Sequence, residues 1–319
     1  MAKKNNLKGS LILCTAALLW GLAFVVQNRA ADKIPPFTFN CLRSFIGAIF
    51  LLAFMGIMSG KNKEYVPIPK NFDKKLLFTG GAVCGVVLAI STNFQQFGIA
   101  AYPDGVPTEA RSGFLTALYV IIVPILSVFA KKKVPAVVWI SALVALGGFY
   151  ILCLYEGVSG FYFADILVLC CTLAFSMHII VIDKYCGLIG GVRLSAFQFI
   201  FCGIFSGIMA IIFEFDKINI QNIISVLPEI LYMGIVSSGI AYTLQIVGQK
   251  YAEPAIASLS MSLESVFAAL GGWVITGNAL KGNEIIGCLL VFSAIVLAQL
   301  PDFFKKKNTA NCNSKLKQN

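Results

Sequence analysis

Charge and histidine are scarce in this chain. Asp, Glu, Lys and Arg together make up 13% of its 319 residues, and His178 is the one histidine. A soluble domain of this length carries about a quarter charged residues, so the composition excludes one. A lone imidazole leaves no basis for a histidine-built metal centre. The ten cysteines contain no CxxC pair. Most of them (Cys14, Cys41, Cys84, Cys153, Cys170, Cys171, Cys202, Cys288) fall inside apolar runs, and Cys186 and Cys312 fall in segments read as cytoplasmic. They read as small core residues rather than disulfides or metal ligands. No phosphate-binding loop is present, which argues against an ATP-driven pump. HExxH and Ser/His/Asp arrangements are missing as well, so an intramembrane hydrolase has no nucleophile or metal. Neither enzymatic activity nor a cofactor is expected.

What the chain has instead is apolar length. It is 58% hydrophobic with a mean hydropathy of +0.83, the signature of an integral membrane protein. Runs bounded by charge, Pro or Gly predict ten membrane helices, at about 8–27, 37–58, 75–98, 111–130, 134–154, 163–183, 193–213, 227–249, 254–276 and 283–301. The fold class expected is therefore all-α integral membrane. The connections are short, with no room for a separate soluble domain. Lys3, Lys4 and Lys8 before the first run superficially resemble a signal peptide, but further runs follow at once, so the first is read as a retained helix.

The net charge of +10 sits in short lysine clusters between the runs. That pattern reads as membrane orientation rather than nucleic-acid binding. Nineteen Lys and Arg fall on one side, from Lys3 through Lys61, Lys74, Lys131, Lys184 and Lys250 to the tail, against Arg29, Lys33, Arg111, Lys217 and Lys281 on the other. The positive-inside rule then predicts a multi-pass protein of the cytoplasmic membrane with both termini inside, including a tail over 302–319.

An internal repeat appears when residues 155 apart are compared: Trp20 falls on Phe175, Arg29 on Lys184, Arg43 on Gln198 and Phe45 on Ile200. Further on the offset shrinks, matching Asn93 and Gln95 with Thr243 and Gln245, and Pro124 with Ser265. The halves, 8–154 and 163–301, hold five runs each. An odd number forces the second half into the membrane upside down. Such inverted repeats are associated with alternating access around a site at the membrane midplane.

These residues resemble a known family. Leu18, Leu19, Trp20 and Gly21, the Pro35-Pro36-Phe37 entry with Leu42 and Arg43, the stretch Gly113, Phe114, Leu115, Thr116 with Pro124, and the run from Leu263 through Glu264 to Ala269 are together similar to the drug/metabolite transporter superfamily, EamA type. The resemblance runs from about residue 10 to 300. It implies ten-helix secondary carriers, mostly exporters of amino acids and other small metabolites. Two departures stand out. Ser265 occupies the place where the family has proline, which removes an expected kink, and Gly277-Asn278 replaces a Gly-Glu pair. The outer loop from Ala101 to Thr108 also looks long.

Glu264 lies about ten residues, or roughly 15 Å of helix, from Pro254, which puts a carboxyl near mid-membrane. Such a group is read as a proton-coupling site or a counter-charge for an amine, against the plainer use of a protonated or hydrogen-bonded structural glutamate held by Ser260 or another polar neighbour. Arg43 lies about 9 Å inside the outer end of the second run. It suits a substrate carboxylate, but the plainer reading is that it snorkels to the outer interface or pairs with an acid there, such as Glu109. Asn93, Gln95 and Gln96, with Tyr242, Thr243 and Gln245 as their inverted counterpart, are read either as a polar path for solute or as interhelical hydrogen bonds. Trp20, Tyr119 and Trp273 offer flat walls, with core packing the ordinary use of an aromatic. His178 is expected to be satisfied by a neighbour. Gly81/Gly85 and Gly203/Gly207 are expected to let helices approach closely.

The expected partners are the lipid bilayer, a small-molecule substrate and a coupling proton, with no nucleic acid and no metal. Efflux of hydrophobic cations is the rival within transport. A lipid-handling or membrane assembly protein is the rival from another class.

Overall fold

The computed structural model describes residues 5–61, 73–104, 106, 108–154, 160–276 and 281–316; for the helix residues 59–61, 110, 153–154, 271–276 and 301–316 it describes the backbone alone. Apart from the connections, the described residues are helical, with no strand among them. In chain order the helices are α1 (Asn6–Gly21), α2 (Ala23–Ala31), α3 (Pro36–Lys61), α4 (Lys74–Ala100), α5 (Thr108–Ala117), α6 (Tyr119–Phe129), α7 (Ala136–Leu154), α8 (Phe163–Ile189) and α9 (Gly191–Phe213). A 3₁₀ turn (Phe215–Lys217), α10 (Ile220–Ser225) and α11 (Leu227–Leu231) lead into a π-helical stretch (Tyr232–Ala241), followed by α12 (Tyr242–Tyr251), α13 (Pro254–Met261), α14 (Leu263–Thr276) and α15 (Gly282–Leu316).

Among the described residues, eight helices are long and apolar enough to cross a bilayer. The expected fifth and ninth runs are apolar helices too, described with their side chains over Ala136–Leu152 and Pro254–Leu270. The helical backbone continues past both, to Leu154 in α7 and to Thr276 in α14. Large apolar side chains such as Leu11, Ile49, Phe129, Leu143 and Ile211 face outward, where lipid tails take the place of a core. Polar side chains turn inward, because an amide or hydroxyl in hydrocarbon must find a partner inside the protein.

Close backbone contact builds the bundle. α4 packs against α8 and α9, α3 against α9, α7 against α15, and α1 against α12, α13 and α14. A Cβ on Gly85 would stand 2.5 Å from the Gln198 carbonyl oxygen and 2.6 Å from Phe201 Cβ, so α4 and α9 meet only because that position is glycine. At Gly81 the neighbour is Phe197, while Gly203 and Gly207 face Phe45 and Cys41 of α3.

One cluster ties the loop before α5 to the start of α8. Arg111 Nε and Nη2 donate to Asp165 Oδ1 and Oδ2, both at 2.6 Å, and Nη2 also donates to the Gly160 carbonyl at 2.8 Å. The Tyr102 hydroxyl donates to Asp165 Oδ1 at 2.7 Å, and the Tyr162 N–H to Oδ2 at 2.8 Å. The Arg111 guanidinium lies 4.8 Å from the Tyr162 ring centre. The pair is buried, with side chains 7% and 1% exposed, and a planar fork on a carboxylate uses the best geometry such a pair can have. Elsewhere, Glu214 accepts from the N–H groups of Phe37 and Thr38 and the Thr38 hydroxyl, capping the start of α3.

Candidate functional site

Four spans lose regular α-helical hydrogen bonding at one region of the bundle. α1 ends at Gly21, and Leu22 N–H turns back to the Trp20 carbonyl before α2 begins. α5 gives way to α6 at Leu118, whose N–H bonds Leu115 O at 3.3 Å, and Pro124 lies further along α6. The eighth run passes from π to α between Ala241 and Tyr242. α13 stops at Ser262, and Ser265 N–H bonds the Ser262 carbonyl at 3.3 Å.

The last break corrects an expectation. The missing proline at Ser265 does not leave this helix continuous. Ser258, Ser260 and Ser262 each return a hydroxyl to a carbonyl one turn back (Ala255, Ile256 and Leu259, at 2.8–2.9 Å), a pattern that bends helices.

The residues bracketing the breaks converge. Trp20 and Ala23, Thr116 and Tyr119, Ser237 and Tyr242, and Met261 and Glu264 all line one cavity. Phe24, Gln27, Arg43, Gln95, Phe175, Ile179 and Gln245 complete its wall. Interrupted helices at membrane depth survive where they border protein or a polar cavity, so the breaks and the cavity are one feature.

Two charges face this space. Glu264 is 6% exposed, and its Oε1 accepts from the Tyr119 hydroxyl at 3.0 Å. Arg43 is 2% exposed, with its guanidinium 5.7 Å from the Phe39 ring centre. Among the described residues it makes no hydrogen bond and no ion pair, and its Nε is fully buried without a partner. The plainer reading of Glu264, a glutamate held by a polar neighbour, is met by Tyr119 rather than by Ser260, whereas the plainer reading of Arg43 fails. Ser260 donates to Ser10 at 2.7 Å and to Ile256 rather than to Glu264. Glu109 accepts from Asn28 at 2.7 Å rather than pairing with Arg43, which is buried and does not snorkel.

The amides divide. Gln95 lies on the wall and accepts from Gln27 Nε2 at 3.2 Å, and Gln27 also donates to Gln96 at 3.3 Å. Gln245 lies on the wall with no partner for its Oε1. Asn93 does not reach the cavity: it accepts from Asn40 and donates to Ser206, both at 2.9 Å, and to the Ala89 carbonyl at 2.8 Å. Its role is interhelical bonding between α3, α4 and α9. His178 meets Gln198 at 3.2 Å and is also off the wall. Trp20 and Tyr242 form an edge-to-face pair with ring centres 4.8 Å apart. The Trp273 side chain, Gly277 and Asn278 lie outside the described residues.

Sequence reasoning passed over Phe24, Gln27, Phe175, Ser237 and Met261 as site residues. One signal was available. Phe175 is the repeat partner of Trp20, as Gln245 is of Gln95, and both pairs meet on this wall. Gln27, Ser237 and Met261 carry no such mark, because only the helix breaks turn them inward.

A bundle of apolar spans around a charged cavity at interrupted helices is the build of a membrane transporter. The EamA-like transporter family matches residues 7–154 and again 162–300, and the chain belongs to it. An uncharacterized transporter of Archaeoglobus fulgidus is 30% identical over 302 residues, covering 93% of this chain and 87% of its own. A crystal structure of a protein 20% identical in sequence superposes with a TM-score of 0.70, covering 92% of this chain and 96% of that one, and shares the fold.

Proposed function

We propose that this transporter is a secondary-active exporter of small zwitterionic metabolites, amino acids among them, working by alternating access. One observation carries the reading: an acid and a base face the same cavity, and among the described residues neither forms an ion pair. An unpaired buried guanidinium is costly, and a substrate carboxylate cancels that cost by a planar two-point contact. A substrate ammonium does the same at Glu264, and a proton on that carboxyl occupies the site when substrate is absent. The bound zwitterion leaves the cavity electrically neutral.

In this reading the apolar helices of the fifth and ninth runs complete ten spans, arranged as inverted halves 8–154 and 163–301, with both termini in the cytoplasm. The doubled family match and the shared wall positions of Trp20/Phe175 and Gln95/Gln245 support it.

Purified protein in liposomes preloaded with unlabelled amino acids should take up labelled amino acid by exchange, and Glu264→Gln should lose at least about 100-fold of that rate, a barrier increase of about 2.7 kcal/mol. Absence of exchange for every amino acid, with Glu264→Gln indistinguishable from wild type in cells, would sink the mechanism. Efflux of hydrophobic cations draws support from Glu264 beside Trp20, Phe24, Phe175 and Tyr242. The uncancelled charge of Arg43 on the same wall opposes it, since a cation gains nothing there. Competition by quaternary amines against amino acids separates the two.

A further inference from the structure

Beyond the two charges, the cavity wall holds three uncharged polar groups without partners, on Trp20, Thr116 and Gln245. Gln245 is 3% exposed, its Oε1 is buried with no hydrogen bond, and its amide donates to no described residue. Trp20 Nε1 is likewise buried without a partner. Both residues line the cavity and both adjoin Tyr242: Trp20 stacks edge-on against that ring, and Gln245 follows it by three positions on the same face of α12.

An orphaned buried polar group is costly, and the great majority of such groups are satisfied in native proteins. Gln95, the repeat counterpart of Gln245, shows the ordinary outcome, since Gln27 satisfies it. Gln245 has no equivalent of Gln27 beside it. Its unpaired amide oxygen and the unpaired indole N–H of Trp20, both on wall residues that adjoin Tyr242, are an acceptor and a donor that no described residue satisfies.

Building on the zwitterion reading, we propose that Gln245 and Trp20 form a specificity subsite for an uncharged hydroxyl or carboxamide on the substrate's side chain. A site with unsatisfied hydrogen-bonding groups rejects an isostere that lacks the matching group, because binding then seals those groups away from water unpaired. An apolar side chain of equal size is therefore a poor substrate although both charges engage it.

The test is exchange in proteoliposomes with isosteric pairs: threonine against valine, and glutamine against methionine. Wild type should prefer the polar member of each pair by about tenfold or more in half-saturating concentration. Gln245→Met keeps the length of the side chain and removes its amide, and it should collapse that preference towards unity. Trp20→Phe keeps an aromatic ring and removes the N–H, and it should lower the preference severalfold. A single symmetric peak in detergent serves as the check that each variant folds. Equal half-saturation of wild type by threonine and valine would overturn the subsite while leaving the zwitterion reading intact. So would a preference unchanged in Gln245→Met. Failure of wild type to exchange any of the four amino acids would overturn both.

Discussion

Two buried arginines in this protein live in opposite circumstances. Arg111 is saturated: a bidentate carboxylate, a carbonyl and a tyrosine ring take up its guanidinium, and Asp165 is held in turn by Tyr102 and by the Tyr162 N–H. Arg43 is equally removed from solvent, yet no described residue accepts a hydrogen bond from it. The difference separates architecture from function. A buried charge surrounded by partners pins two segments together, whereas one facing a cavity without partners costs stability unless something else arrives to neutralise it.

The largest effect is expected where the charges are satisfied. Asp165→Asn leaves Arg111 buried without its counter-charge and should cost about 3–5 kcal/mol, read as a fall in the midpoint of unfolding in detergent. In a double-mutant cycle with Arg111→Met the two losses should fall short of additivity by at least about 1 kcal/mol. Additive losses would show that the pair is not coupled and would dissolve the contrast.

Arg43→Met should do the reverse. Removing an unpaired buried cation relieves a desolvation cost, so the unfolding midpoint should hold or rise, while amino-acid exchange falls about 100-fold, or about 2.7 kcal/mol. A variant that unfolds as readily as Asp165→Asn would mean that Arg43 is a structural residue after all.

Much of this was legible in the chain. The apolar runs located the helices because hydrocarbon thickness fixes their length, and Glu264 announced itself because a carboxyl at that depth is expensive. Arg43 was harder. Distance along one run cannot distinguish a side chain that snorkels outward from one turned inward, and only the packing of α3 against α9 and the π-helical stretch decides it. The same holds for Asn93 and Gln95, two positions apart on α4, one consumed by Asn40 and Ser206 and the other on the cavity wall. The break at Ser262 was hidden for a different reason: a missing proline is visible in a sequence, while serines bonding back to their own helix are common in continuous helices too.

Tyr119 sharpens the comparison from the acid's side. Its hydroxyl is the one described donor to Glu264, so Tyr119→Phe keeps the ring and frees the carboxylate. Exchange should fall about tenfold, or about 1.4 kcal/mol, mostly through weaker half-saturation, because the carboxylate is no longer held in place to meet the ammonium. A loss confined to maximal rate would assign Tyr119 to the conformational cycle instead.

The smallest change is expected at Asn93, which resembles Gln95 in chemistry but Arg111 in circumstance. Both ends of its amide are occupied by α3, α9 and its own helix, and none of it borders the cavity. Asn93→Ala should cost about 1 kcal/mol of stability, the usual size of an interhelical hydrogen bond in a membrane, and leave exchange rates within about twofold. That is the mirror image of Arg43→Met, which loses transport and keeps stability. If Asn93→Ala instead abolished exchange in a protein that still unfolds at the wild-type midpoint, the presence or absence of partners would not distinguish scaffold from site, and Arg43 would need another explanation.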